Sequence, residues 1–272
     1  MPRTAASVPF ATRAVVLRAR PLGEKDRILT LFSPERGKFS AVARGARSPK
    51  GKLAATAQPF VLARFALATG RSLDIVTQAQ IETMHPHIAG NVLKTSWASF
   101  ASECADHAPE GVADEHGFAV LEVFLDALDN SPDFSAIEAA GVWFQSQWLA
   151  HSGYAPTIGF CVVCERKIEA DEELWFGPLA GGTLCRNCRG TQNSPERVSS
   201  DSMRALYRLE RSRRPPASLA DAPFSLSERA QGELARSVER ALLVHADGRF
   251  RSLGTLQDAR AVAHLEGNSS LS

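Results

Sequence analysis

Four cysteines carry the clearest chemistry in this chain. Cys161-Val-Val-Cys164 and Cys185-Arg-Asn-Cys188 are two C-x-x-C pairs with twenty residues between them. Each pair closes a tight loop that offers two sulfurs to one metal, and two such loops make a tetrahedral four-thiolate site of the kind zinc occupies. Four protein ligands leave no open position for water or substrate, so the expected Zn2+, one per chain, is structural. Leu174-Trp-Phe176 and Gly181-Gly182 between the pairs read as a short β segment with a turn, the outline of a zinc ribbon over about 158–192. The zinc-deaminase pattern fails, since Leu184, not Pro, precedes Cys185. Cys104 lies in a helical pattern and reads as a small buried hydrophobe.

The second set of candidate residues is cationic. Residues 1–80 hold fourteen Lys/Arg against four Asp/Glu, residues 81–160 hold one against eleven, and the rest sixteen against fifteen. The overall +1 therefore hides a strongly basic start joined to an acidic middle. A small domain with that much positive charge faces a polyanion or carries a solvated basic surface, and the polyanion is the reading adopted. Its candidate phosphate contacts are Arg13, Arg18, Arg20, Lys25, Arg27, Arg36, Lys38, Arg44, Arg47, Lys50 and Lys52. Gly45 through Lys52 superficially suggests a nucleotide-binding P-loop, but the spacing is one residue too long and Leu53 replaces the Ser/Thr that would hold magnesium. No Gly-x-Ser-x-Gly, His-Glu-x-x-His or glycine-rich dinucleotide fingerprint is present, so no enzyme is expected. His85 and His87 flank Pro86 and read as surface residues.

The elements that must position these groups change character along the chain. Runs at 13–20, 26–33, 38–45, 61–68 and 73–81 are rich in Val, Leu, Ile and Thr or alternate apolar with polar, and Ser33-Pro-Glu-Arg-Gly37 is hairpin chemistry. Five strands in the first 82 residues are what a five-stranded OB barrel requires. In the third run Phe39, Ala41 and Ala43 share one face and Lys38, Ser40 and Arg44 the other, one core and one cationic. From about Pro86 the period becomes helical, with helices predicted at 112–130, 135–150, 200–212, 225–245 and 256–265, then a disordered tail at 266–272. Ser225-x-x-Glu228 reads as a capping box. Trp143, Phe144 and Trp148 are core, or else line a groove for a partner peptide. Arg204, Arg208, Arg211, Arg213 and Arg214 are open to two readings, an extension of the polyanion-binding surface or a solvated face.

Ala14-Val-Val-Leu17, Gly23 to Leu31 (GEKDRILTL), Gly37 to Arg47 (GKFSAVARGAR) and Gln58-Pro-Phe60 together resemble the N-terminal domain of the RecO family of bacterial recombination mediators. The resemblance implies an N-terminal OB-fold, a largely helical remainder, and binding and annealing of single-stranded DNA. It also implies RecR and the C-terminal tail of the single-stranded-DNA-binding protein as partners, in loading the recombinase onto coated DNA.

The expectation is thus an α+β chain: a five-stranded OB-fold barrel (1–82) followed by a helical domain (83–272) carrying an inserted four-cysteine zinc ribbon. The resemblance further implies that it binds single- and double-stranded DNA in repair and recombination through the RecF pathway. An RNA-binding OB/zinc-ribbon protein of translation or transcription is the alternative, to be told apart by dependence on the 2′-hydroxyl. A zinc hydrolase, which would need an open metal position, is a third. With no apolar stretch near membrane-spanning length and no signal peptide, the expected location is cytoplasmic, associated with the nucleoid and not with a membrane.

Overall fold

The structure, a computed structural model, describes residues 10–70, 72–169, 171–191, 193–245 and 250–269, with the backbone alone for 266–269. Five strands, β1 (Phe10–Leu22), β2 (Asp26–Ser33), β3 (Gly37–Ala43), β4 (Leu62–Ala68) and β5 (Asp74–Thr83), close a barrel in the order β1-β2-β3-β5-β4. All neighbours are antiparallel except β3 and β5, which run parallel over Ala41–Ala43. This is the OB-fold expected from the strand count. Phe39, Leu29, Leu31, Phe65, Leu67 and Val76 fill the interior. Gly37 opens β3 at φ +54°, and a Cβ there would lie 1.9 Å from the Val112 carbonyl oxygen, so both the turn and the close approach require glycine.

Val15, Leu17 and Phe32 are buried although they alternate with the interior residues, so these strands are covered on both sides. The cover is helical. After α1 (Pro86–Ala89), α2 (Val92–Asp106) packs on β1 and β2, and α3 (Glu115–Asn130) sets Phe118 6.4 Å from Phe32. The compact unit that contains the barrel therefore runs to Asp129, well past the strand end at Thr83, and a second unit begins at Asn130. His85 proves to be buried at 3% exposure, not a surface residue. Its ring bonds the Phe60 carbonyl (2.8 Å) and Asp126 (2.9 Å), locking the barrel exit to α3, while His87 is exposed.

In the second unit α4 (Phe134–His151) is the central helix, and it is apolar nearly all round because α5 (Ser200–Leu209), α6 (Glu228–His245) and α7 (Ser252–Ser269) pack against it. Trp143, Phe144 and Trp148 are core, and Trp143 Nε1 donates to Ser212 Oγ (2.9 Å). With at most 6% of any of the three exposed, they offer no surface to a partner peptide among the described residues, and the core reading holds. The cap of α6 is Ser227, whose Oγ accepts from the Ala230 N–H. Ser225 sits at φ +51°, outside the helix, so the predicted box falls two residues early. Helix α7 continues to Ser269, four residues into the predicted tail; residues 270–272 lie outside the described residues. Strands β6 (Leu174–Gly177), β7 (Gly182–Cys185) and β8 (Glu196–Val198) form a small sheet ordered β7-β6-β8 within this unit.

Candidate nucleic-acid interface and metal centre

The four sulfurs meet. Cys161, Cys164, Cys185 and Cys188 place their Sγ atoms within 4.8 Å of one another, with Cys164 and Cys185 at 3.9 Å. A tetrahedron with metal–sulfur bonds of about 2.3 Å has sulfur–sulfur edges of about 3.8 Å, so the cluster is sized for a metal ion. Strand β7 delivers Cys185 at its last position, paired with Leu174 of β6, and Leu174, Trp175, Phe176 and Leu184 of the two strands are buried. The first loop is fastened to the sheet by Val162 N–H donating to the Thr183 carbonyl (3.0 Å). Burial alone would raise the Cys161 thiol, but N–H groups of Cys164, Cys185 and Val163 directed at its sulfur outweigh that and bring it to about 6. Cys188, next to the Cys185 sulfur, is pushed up to about 12. The Arg166 guanidinium, held by Glu172 at 2.9 Å, stands beside Cys185 and offsets the negative charge that four thiolates would gather. Buried Cys104 is remote from this cluster in sequence and environment, and burial raises its thiol well above the usual range.

The eleven candidate cations separate into two groups. Arg13, Arg18, Arg36 and Lys38 are engaged by the protein's own groups along the barrel wall. Arg13 pairs with Glu122 and Glu82, which hold its guanidinium charged, and Arg13 in turn depresses Glu82. Arg18 pairs with Asp106. Arg36 pairs with Asp74 (2.8 Å) and lies between the rings of Phe10 and Phe39, 4.5 and 4.4 Å from their centroids. Lys38 does leave the barrel on the face opposite Phe39, but its Nζ donates to the Asp106 carbonyl at the C-terminus of α2 and lies 3.9 Å from that residue's carboxylate. It is half-buried, not the outward phosphate contact that the alternation suggested.

The other seven, Arg20, Lys25, Arg27, Arg44, Arg47, Lys50 and Lys52, collect at one end of the barrel. There β1 turns into β2 and β3 departs for β4, with Arg27 opposite Ala43 in the ladder. Asp26 accepts from the Gly45 N–H (2.8 Å), Arg47 N–H donates to the Lys25 carbonyl (2.9 Å), and the Arg47 guanidinium reaches the Gly23 carbonyl, so the two loops are one structure. Arg27 donates to the Ala57 carbonyl (3.1 Å). All but Arg27 are exposed, and among the described residues none of the seven is paired with a carboxylate. Only Glu24 and Asp26 bring negative charge to these segments.

This distribution explains the charge segregation of the sequence. Up to Asp129 the first unit holds fifteen Lys/Arg against thirteen Asp/Glu, close to balance, because the acidic middle supplies Glu82, Asp106 and Glu122 to the wall. The uncompensated charge stands at the loop end. Sequence reasoning missed the acidic partners because ion pairs such as Arg13–Glu122 and Arg18–Asp106 join residues about a hundred positions apart.

A closed OB barrel with a cationic loop end, joined to a helical unit bearing a four-cysteine ribbon, defines an oligonucleotide-binding-fold protein with an accessory metal module. Comparison with known proteins resolves the class further. Residues 8–85 match the family model "Recombination protein O N terminal", and residues 90–254 match "Recombination protein O C terminal". Relatives named DNA repair protein RecO include one from Symbiobacterium thermophilum, 31% identical over 255 residues and spanning 90% of this chain and 97% of that one. Another from Synechococcus elongatus is 30% identical over 253 residues (86% and 94%), and one from Dehalococcoides mccartyi is 33% identical over 184 residues (67% and 71%). The chain belongs to the RecO family of DNA repair and recombination proteins. Among the described residues no helix is long and apolar enough to cross a membrane.

Proposed function

We propose that this protein is a non-enzymatic recombination mediator that binds single- and double-stranded DNA at the loop end of its barrel and anneals complementary strands. With RecR it helps load the recombinase onto DNA coated with the single-stranded-DNA-binding protein, whose C-terminal tail it contacts. The observation that carries the DNA reading is the set of seven cations at one end of an OB-fold, without carboxylate partners among the described residues while the wall cations are neutralised. Phosphate contacts of this type fix a strand without reading its bases, which suits a protein that must anneal any sequence. The metal of the ribbon is zinc, held by Cys161, Cys164, Cys185 and Cys188, and its role is to hold a sheet of three short strands together. The protein acts in the cytoplasm, at the nucleoid.

A strand-annealing assay with complementary DNA oligonucleotides and matching RNA oligonucleotides tests this reading. Acceleration of DNA annealing over the spontaneous rate, irrespective of sequence, is expected. Binding that depends on the 2′-hydroxyl, with no annealing of DNA, would instead assign the barrel to RNA.

A further inference from the structure

We infer that the exposed face of α5 and the turn after it form a second contact for a single DNA strand, carried by the second unit. Arg204, Tyr207, Arg208 and Arg211 follow one another at i, i+3, i+4 and i+7, so they form a single stripe, and Arg213 and Arg214 follow in the chain. All six side chains are exposed. Arg204 and Arg208 are separated by a rise of about 6 Å along α5, and Arg211 follows in the turn after the Glu210 cap. The Arg211 guanidinium lies 3.5 Å from the centroid of Tyr207, which is 47% exposed, so the stripe carries an aromatic–guanidinium stack as well as charge. Cationic rows interleaved with aromatic planes are how proteins hold single strands, with backbone on the charges and bases on the planes.

The stripe is pre-organised. Its opposite face, Met203, Leu206 and Leu209, is buried against α4 and α6. Gln147 Nε2 donates to the carbonyls of Leu209 and Ser212, which pins the end of α5 where the last three arginines project. Arg208 donates to the Pro223 carbonyl (2.7 Å), and Arg213 and Arg214 have no partner among the described residues. The opposing acids are few. Asp201 pairs with Arg204, Asp221 is exposed nearby in the chain, and Glu210 sits in the fold beside Arg211 with its pKa raised to about 7 by burial, which weakens its claim on the positive charge. Two cationic surfaces on one chain would let it hold two strands at once, which annealing requires; in this the inference rests on the proposed function.

The test uses the full chain with Arg204→Gln, Arg208→Gln and Arg211→Gln together, and the matching triple Arg→Lys variant. Binding of a fluorescent single strand is measured against salt, alongside the annealing rate. The Gln variant should lose about 2 from the log–log salt slope, about 0.7 per contact, and anneal at least tenfold more slowly, while the Lys variant restores the slope. Ultraviolet crosslinking of a bromodeoxyuridine strand should mark the peptide containing Tyr207. An unchanged slope and annealing rate in the Gln variant overturns the inference, as does a binding loss that Lys fails to restore. If barrel-end variants lose DNA while α5 variants do not, only the second contact fails. If neither set affects binding, the DNA reading fails with it.

Discussion

Lys38 separates two ways of reading the same strand. Alternation along β3 sends it away from Phe39 and toward a phosphate backbone; the structure sends it onto the last turn of α2 instead. The Asp106 carbonyl belongs to a residue that ends a helix, where carbonyls lack intrahelical donors and the dipole is negative. A cation there contributes about 0.3–1 kcal/mol through the dipole, and a charged hydrogen bond about 1.5–3 kcal/mol before solvent screening. With the side chain 21% exposed and Arg18 still on Asp106, Lys38→Ala should destabilise the barrel unit by about 1–2 kcal/mol. That corresponds to a fall in Tm of about 3–8 °C for a unit of this size. Thermal unfolding followed by tryptophan fluorescence measures it in a background where Trp143, Trp148 and Trp175 are replaced by Phe, so that Trp97 on the buried face of α2 is the reporter. Lys50→Ala should leave Tm in place and take about 0.7 from the salt slope of single-strand binding. If Lys38→Ala leaves Tm unchanged and lowers the slope instead, the assignment of Lys38 to the helix end is wrong.

Phe39→Ala should cost about 3–5 kcal/mol in unfolding experiments, since the ring is 3% exposed and also backs the Arg36 guanidinium. Elemental analysis of protein purified without added metal should return close to one zinc per chain. Cys185→Ser should lose it and open the ribbon to protease, with the barrel's salt slope retained. Glu210 keeps its proton to about pH 7 in the fold but only to about 4.5 when unfolded, so the native state holds the extra proton between those values. Stability should therefore fall as pH rises through that window and level off above it. Glu210→Gln should flatten the profile and gain about 1–2 kcal/mol at pH 8, read from denaturant midpoints at pH 5 and pH 8.

Much of this architecture is legible in the residues because the signals are local. Five strands, a hairpin turn and two C-x-x-C loops each declare themselves within a dozen positions. Phe39 and Lys38 separate correctly because strand alternation is geometric. What stays hidden depends on partners distant in sequence. Arg13 and Arg44 look alike as residues, yet Glu82 and Glu122 claim the first, while the second has no acidic partner among the described residues. His85 looks like a loop residue beside Pro86 until Asp126, forty-one positions on, accounts for its burial. Trp143 and Trp148 suggest a groove only while the helices that cover α4 are unknown. The extent of the first unit is hidden for the same reason, since helices that follow the barrel complete its outer layer.

The central claim is that the loop end of the barrel, and not its wall, meets the phosphates. It is tested by the salt dependence of single-strand binding for the full chain with Lys25→Gln, Arg44→Gln, Lys50→Gln and Lys52→Gln. The seven contacts of the loop end contribute about −4.9 to the slope and, in the quadruple variant, the remaining three contribute about −2.1, beside whatever the α5 stripe adds to both. The account predicts a fall in slope of about 2.8 with Tm unchanged. A quadruple variant that binds with the parent's slope, while Arg13→Gln or Arg18→Gln lowers it, would place the strand on the wall and contradict the account.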